Sequence, residues 1–388
     1  MKATIIYQGV SNMKKIGKQT LFLETGKGNP RNGEGSFVRL KNGNVLYAYT
    51  EYYGEDWADH ATAHICACVS SDEGESWGKP FVLLEKDENA ENYMSTSLLR
   101  MANGDLGMIF LRKENKVGKE IGHYTDFSCM PMFTRSADEG KTWSEPVVMG
   151  VAEGYYCGIN DGVLVQRNAR ILMPLSRDVQ DDAATVIIVY SDDDGAHWDV
   201  LDHTFKTPFP DHTLGLAEPG LYELADGALW MWCRTPYGHQ YESRSFDNGV
   251  TWTPLVPNFY FTSPDSPMRV KDVGDYTVAA FNPLPCLCVR EDYTARGSIR
   301  RTPIVCAVSD DRARSFACDD CYISGKKMMA FADRAFLLED DPASTYCYPA
   351  IMAVRDGFLV AYYHSNGGDY TLNCLKITKV RFDEIVRQ

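Results

Sequence analysis

The string S-x-D-x-G-x-x-W stands four times intact in this chain, at residues 70–77, 136–143, 191–198 and 245–252. A fifth copy, at residues 309–316, keeps Ser309 and Asp311 but has Ala313 for the glycine and Phe316 for the tryptophan. The physical sense of the string is a hairpin. Its Ser and Asp side chains hydrogen-bond the turn backbone, glycine supplies a positive φ, and the aromatic packs the turn onto its own sheet. A sequence that returns to one hairpin this often is built from copies of one small unit.

A second element recurs with it, an apolar stretch, a turn glycine and an alternating strand. Clear copies surround Gly43, Gly104, Gly227 and Gly357, and weaker ones surround Asn168 and Gly274, which makes six. From Gly43 to Gly357 is 314 positions over five intervals, about 63 residues per repeat. That is room for four short strands with their loops, the content of one propeller blade. The expected fold is all-β, a six-bladed β-propeller with these hairpins, spanning residues 1–388 as one domain. Length alone would suggest two or three domains. The sixth repeat has no box after Gly357, so the strand text at residues 4–7 is expected to complete it and close the ring.

Composition narrows the function. The net charge is −14, with the acidic residues scattered. Nucleic-acid binding would need a basic stripe to release counterions, so it is not expected. An anionic partner would have to be held by a local cluster of cations against the overall field. No apolar run approaches the roughly 18 to 20 residues that span a bilayer, and no membrane partner is expected. The first residues do not read as a secretory signal. The 12 cysteines occur singly or as Cys66-Ala-Cys68 and Cys286-Leu-Cys288 in strand-like text, where buried thiols act as small hydrophobes. Both features point to a reduced, cytoplasmic protein. Cys318 and Cys321 form a lone C-x-x-C with no second pair for zinc, and His60 and His64 lie in strand-like text where they share no helical face. No metal and no cofactor are expected.

The four intact boxes resemble the Asp-boxes of the sialidase (neuraminidase) superfamily, and the count of six blades matches that family's propeller. The resemblance covers nearly the whole chain. It implies an exo-acting α-sialidase that hydrolyses terminal α-linked sialic acids from glycans and retains configuration. Sialic acid carries a carboxylate on its anomeric carbon, which calls for arginines to grip it. A tyrosine paired with a glutamate serves as nucleophile, and an aspartate as acid and base.

What the resemblance implies for single residues follows its motifs. Asp59, about a dozen residues before the first box on a loop assigned to the first two strands of blade one, takes the acid/base role, with Asp56 as rival. Glu218 in Leu216-Ala-Glu218-Pro219 takes the glutamate role. Tyr348, nine residues before Gly357, takes the nucleophile role, and Tyr346 is the core residue beside it. Arg234, ending an apolar strand, and Arg301, with Arg300 as its alternative, take two of the arginine roles. The first arginine usually comes from an R-I-P tripeptide, and residues 29–37 here read N-P-R-N-G-E-G-S-F. Either Arg31 reaches in from a shifted loop, or Glu34 stands in its place and contacts another part of the substrate. From the residues themselves, Asp161 is expected at the pocket mouth, and Trp57 and Tyr237 either as pocket walls or as core or rim packing. Two further readings stand beside this one. A hydrolase of a related sugar acid or an inverting glycosidase is favoured by the missing R-I-P. A non-catalytic glycan-binding propeller would not bring Asp59, Glu218 and Tyr348 together.

Overall fold

The computed structural model describes residues 13–116, 126–178, 183–208, 215–285, 294, 301–314, 316, 335–365 and 372–386. Arg300, Cys286, Cys288, Cys318, Cys321 and the strand expected at residues 4–7 lie outside them. The fold is all-β, and its strands fall into six consecutive antiparallel units. Unit one holds β2 (Gly28–Arg39), β3 (Val45–Gly54), β4 (Ala63–Ser70) and β5 (Phe81–Leu84). Unit two holds β6 (Asn92–Arg100), β7 (Leu106–Asn115), β8 (Phe127–Ser136) and β9 (Val147–Val148). Unit three holds β10 (Tyr155–Cys157), β11 (Leu164–Val165), β12 (Ile171–Asp178), β13 (Thr185–Ser191) and β14 (Asp199–Val200).

Units four and five are separate four-stranded sheets. These are β15 (Ala217–Glu223) to β18 (Val256–Thr262), by way of β16 (Leu229–Arg234) and β17 (His239–Ser245), and β19 (Arg269–Val273) to β22 (Ala335–Glu339), by way of β20 (Tyr276–Phe281) and β21 (Ile304–Ser309). Unit six holds β23 (Tyr346–Val354), β24 (Gly357–His364) and β25 (Cys374–Arg381), and a one-turn helix, α1 (Phe382–Ile385), follows it. Its fourth strand is β1 (Lys18–Leu23), paired antiparallel with β25. The N-terminal part of the chain therefore completes the last unit, but through residues 18–23. Units one, two and three join into one sheet through single parallel pairs, Ala63 with Asn92 and Tyr155 with Cys129.

The repeated hairpins set the spacing. In the first, Gly74 N–H donates to Ser70 Oγ at 2.8 Å and Ser76 N–H donates to Asp72 Oδ1 at 2.9 Å. The hairpins at residues 136–143, 191–198 and 245–252 repeat both bonds within 0.1 Å. The turn needs two positive-φ residues in a row, Glu73 at 60° and Gly74 at 81°. In the fifth copy Arg312 and Ala313 adopt the same pair at 58° and 62°, so alanine carries a conformation that glycine holds elsewhere. The residue before the glycine then reaches the preceding unit. Glu139 accepts from Lys41 N–H, Asp194 from Ala102 and Asn103 N–H, and Asn248 from the Gln166 side chain. Glu73 accepts from Arg355 N–H of unit six, so the first unit is tied to the last.

Between units, the strand faces are apolar, and a buried cluster centred on Trp230, Trp232 and Phe261 fills the space between units four and five. Burying each such aromatic contributes about 2–3 kcal/mol, far more than one turn bond. Packing between units therefore carries stability, and the hairpins fix register. The eight described cysteines are all unpaired, and seven of them are buried.

Each unit also carries one non-glycine residue with φ between 42° and 58° at or just before its first strand or strand pair. They are Glu34, Ser95, Asp161, Glu218, Asp265 and Tyr348. Four of them sit in β-bulges, between Gly33 and Ser36, Met94 and Ser97, Ala217 and Gly220, and Cys347 and Ala350. A side chain in this conformation costs roughly 1 kcal/mol and persists only where its surroundings fix it. A bulge re-aims a side chain out of the pleat. Here five of these six positive-φ residues bond or ion-pair into one polar cluster at the strand ends opposite the hairpins.

Candidate active site

The cluster is built from those bulges outward. The Tyr348 hydroxyl donates a short hydrogen bond to Glu218 Oε1. Arg234, the last residue of β16, donates through Nη1 to Glu218 Oε2 at 2.8 Å and lies 3.5 Å from the Tyr348 hydroxyl. Its Nε and Nη2 bind the Asp265 carboxylate at 2.7 and 3.3 Å. Arg301 is buried beneath Tyr348, with Cζ 5.6 Å from the ring centroid. It donates through Nη2 to the Asp265 carbonyl at 2.8 Å and through Nη1 to Cys347 Sγ at 3.4 Å.

From Tyr348 the cluster continues through Tyr363, whose ring meets it edge-on at 5.8 Å. The Tyr363 hydroxyl accepts from Arg31 Nε at 2.8 Å and donates to Glu34 at 3.1 Å. Arg31 is buried in β2, donates through Nη2 to Glu34 at 2.8 Å and through Nη1 to Asp59 Oδ1 at 2.5 Å. Asp59, Arg31, Glu218, Arg234, Arg301 and Tyr348 thus form one contiguous cluster drawn from units one, four, five and six.

The electrostatics divide these groups. Burial opposes ionisation of Asp59, yet the Arg31 guanidinium and Lys113 outweigh it and hold the carboxyl well below its usual range. Protein surrounds that carboxyl on several sides, but 57% of the side-chain surface still reaches solvent, as in a cleft wall. Burial, reinforced by the facing Glu218 carboxylate, pushes the Tyr348 phenol well above its usual value, so it is protonated and donates to Glu218. Burial raises Glu34 despite the charge of Arg31.

Several expectations are corrected in place. Asp59 lies on the loop between the second and third strands of its unit, β3 and β4, where the first two strands were expected. Asp56 caps that loop by accepting from Ala58 N–H at 2.9 Å. Glu34 does not face the cleft. It is buried behind Arg31, with its oxygens taken by Arg31, Tyr363 and the Ser95 hydroxyl. Asp161 is not at a mouth either. It is fully buried, and its carboxylate accepts from Ser36 Oγ and Lys271 Nζ at 2.8 Å each and from Ile351 N–H at 3.1 Å, while its own N–H donates to the Thr96 carbonyl. It ties units one, two, five and six at the centre. Tyr346 is core, as expected. Trp57 is exposed and gives its carbonyl to Arg31, and Tyr237 packs edge-on against Tyr241.

The sequence of residues 59–361 matches a family model described as a BNR repeat-like domain, which takes in most of the chain. The chain belongs to the BNR repeat-like family. No curated protein matches it. Among solved structures, a protein of unknown function from Dyadobacter fermentans is 17% identical with a TM-score of 0.68, and the match covers 94% of this chain and 99% of that one. A mutant of Trypanosoma rangeli sialidase displaying trans-sialidase activity is 14% identical with a TM-score of 0.67, covering 97% of this chain and 59% of that one. The leech intramolecular trans-sialidase complexed with 2,7-anhydro-Neu5Ac is 14% identical with a TM-score of 0.64, covering 96% and 71%. At these identities the likeness is one of fold.

In this BNR-family chain the sequence reading missed Asp265, Tyr363 and Asp178. Asp265 sits in Ser263-Pro-Asp-Ser-Pro267, a turn-rich stretch opening the fifth repeat, and that was its available signal. Tyr363 is one of many strand tyrosines and carried none. Asp178 ends β12 beside Cys157, whose Sγ lies 3.8 Å from Oδ2. Burial, with the Glu218 charge adding to it, raises the Asp178 carboxyl to about 6.

Proposed function

We propose that this protein is an exo-α-sialidase with a six-bladed β-propeller fold, whose repeated hairpins are Asp-boxes. Its substrate would be a sialylated glycan or oligosaccharide. The observation that carries the reading is the hydrogen bond from Tyr348 to Glu218, flanked by Arg234 and Arg301 and reached by Asp59 through Arg31. The sialidase and trans-sialidase names among its structural neighbours agree with it.

In this reading the sugar carboxylate docks on Arg31, Arg234 and Arg301. Docking displaces Asp59 from Arg31 Nη1, because two carboxylates compete for one guanidinium edge. Asp59 then loses its main stabilising cation, its pKa rises, and it takes up a proton. Tyr348 Oη attacks the anomeric carbon while its proton passes to Glu218, and Asp59 protonates the departing glycosidic oxygen. The glycosyl–tyrosine bond is then cleaved by water, whose proton goes to Asp59, and the leaving phenolate recovers its proton from Glu218. A neutral phenol is suited to this carbon because an anionic nucleophile would be repelled by the adjacent carboxylate. Configuration is retained.

Release of 4-methylumbelliferone from its α-sialoside tests the activity. The wild type is expected to turn over, with Tyr348→Phe and Asp59→Ala reduced by about a thousandfold or more. No release from any sialoside, or full activity in both variants, would sink the reading.

A further inference from the structure

We propose that Glu51, His64 and Cys66 form a binding site for a zinc-class divalent cation at the root of the loop that carries Asp59. Glu51 of β3 and His64 of β4 are directly opposed across the ladder, and Cys66 lies two residues along β4 from His64, on the same face. A carboxylate oxygen, an imidazole nitrogen and the thiol sulfur lie within 4.8 Å of one another. Ligands around tetrahedral zinc stand roughly 3–4 Å apart, so small side-chain rotations close the set. One thiolate, one imidazole and one carboxylate suit a borderline-soft ion and are wrong for calcium or magnesium, which want oxygen alone.

The outer contacts favour the same reading. Glu85, just past the end of β5, lies 3.0 Å from His64 Nδ1, while Nε2 faces Glu51 at 3.4 Å. A carboxylate on Nδ1 fixes the tautomer that leaves Nε2 free to ligate. The Tyr49 hydroxyl donates to Glu51 Oε2 at 3.2 Å and holds that carboxylate in place, and the Tyr53 ring lies 4.9 Å from that of His64. His60, which the sequence paired with His64, is instead stacked on Phe127 at 4.1 Å and takes no part. Binding replaces the Cys66 thiol proton, which is released to solvent.

Position gives the site a consequence. The last ladder pair of β3 and β4 is Tyr52 with Ala63, and the chain between them carries Asp59. A cation bridging Glu51 to His64 and Cys66 would fasten both stems of that loop. Its effect on turnover rests on the proposed function, but its binding does not.

The test is titration of the chelator-treated full chain with Co²⁺, reading the thiolate-to-cobalt charge-transfer absorption, followed by displacement with Zn²⁺. One saturable equivalent is expected. The absorption should be lost in Cys66→Ser and in Glu51→Gln, weakened about 10- to 100-fold in affinity by Glu85→Gln, and kept in Cys68→Ser. Glu51 is half-buried, so its variant reports even if the Cys66 substitution fails to fold. No charge-transfer absorption in the wild type, or absorption that survives both Cys66→Ser and Glu51→Gln, would overturn the proposal.

Discussion

Arg31 Nη1 lies 2.5 Å from Asp59 Oδ1, so the residue expected to give a proton is held as a carboxylate by the residue expected to grip the substrate. The two roles are compatible only if the substrate separates them. The pH profile of kcat/KM reports the free protein, and reaching the transition state from it takes up one proton at Asp59, so activity should fall as pH rises above the lowered Asp59 value. Arg31→Gln removes the principal cation beside Asp59. Its overall kcat/KM is expected to drop, while the surviving activity extends a unit or more further toward alkaline pH. A profile of unchanged shape would show that Arg31 does not set the protonation of Asp59.

Asp178 titrates in the opposite sense. Its folded value of about 6 lies above that of the unfolded carboxyl, so between pH 4 and 6 the folded state holds a proton that the unfolded state has released. Stability from this group therefore falls as pH rises through that window and stays lower above it. Asp178→Asn is expected to be more stable than wild type at pH 8, by about 1–2 kcal/mol after allowance for partial exposure, and nearly equal to it at pH 4. Thermal melts at the two pH values measure the difference, and an equal offset at both would refute the assignment.

Asp161 is a structural prediction. Its carboxylate serves Ser36, Lys271 and Ile351 from three different units. Asp161→Asn keeps the shape but leaves Lys271 without its charge partner, and should cost about 2–4 kcal/mol in denaturant unfolding. A loss under 0.5 kcal/mol, on the scale of a surface change, would mean that the centre is held by packing alone.

Gly33 probes the floor beneath Arg31. A Cβ there would stand 2.0 Å from Tyr363 Cε1, and the Tyr363 hydroxyl anchors both Arg31 and Glu34. Gly33→Ala must displace that ring. Substrate affinity is expected to weaken about tenfold or more as Arg31 shifts, read as a rise in KM. Unaltered KM would place Arg31 outside the binding surface.

The repeats made the six units legible because each hairpin is specified locally, by residues within eight positions of one another. That Asp59, Glu218, Tyr348, Arg234 and Arg301 lie together was implied by the family resemblance, whose motifs are placed by those repeats. Glu34 was misplaced because it sits at positive φ in the bulge between Gly33 and Ser36, and a bulge turns a side chain to a face that strand alternation does not foresee. Asp161 was misplaced because its positive-φ turn between β10 and β11 folds inward, onto partners in units one, five and six that no local pattern marks. Asp265 and Tyr363 act only through partners in other units, and no short-range pattern marks them. The strand that completes unit six is β1, residues 18–23, and its pairing with β25 is a contact across more than 350 positions that local strand text does not reveal.

The central claim is that Tyr348 forms a bond to the sugar. A sialosyl fluoride bearing a second fluorine at C3 destabilises the cationic transition states and slows breakdown of a glycosyl–protein intermediate more than it prevents its formation. Intact-mass measurement after brief incubation is expected to show one added fluorosialosyl group, mapped by peptide fragmentation to Tyr348 and absent from Tyr348→Phe. An adduct on another side chain, or turnover of the donor with none on the protein, would contradict the account.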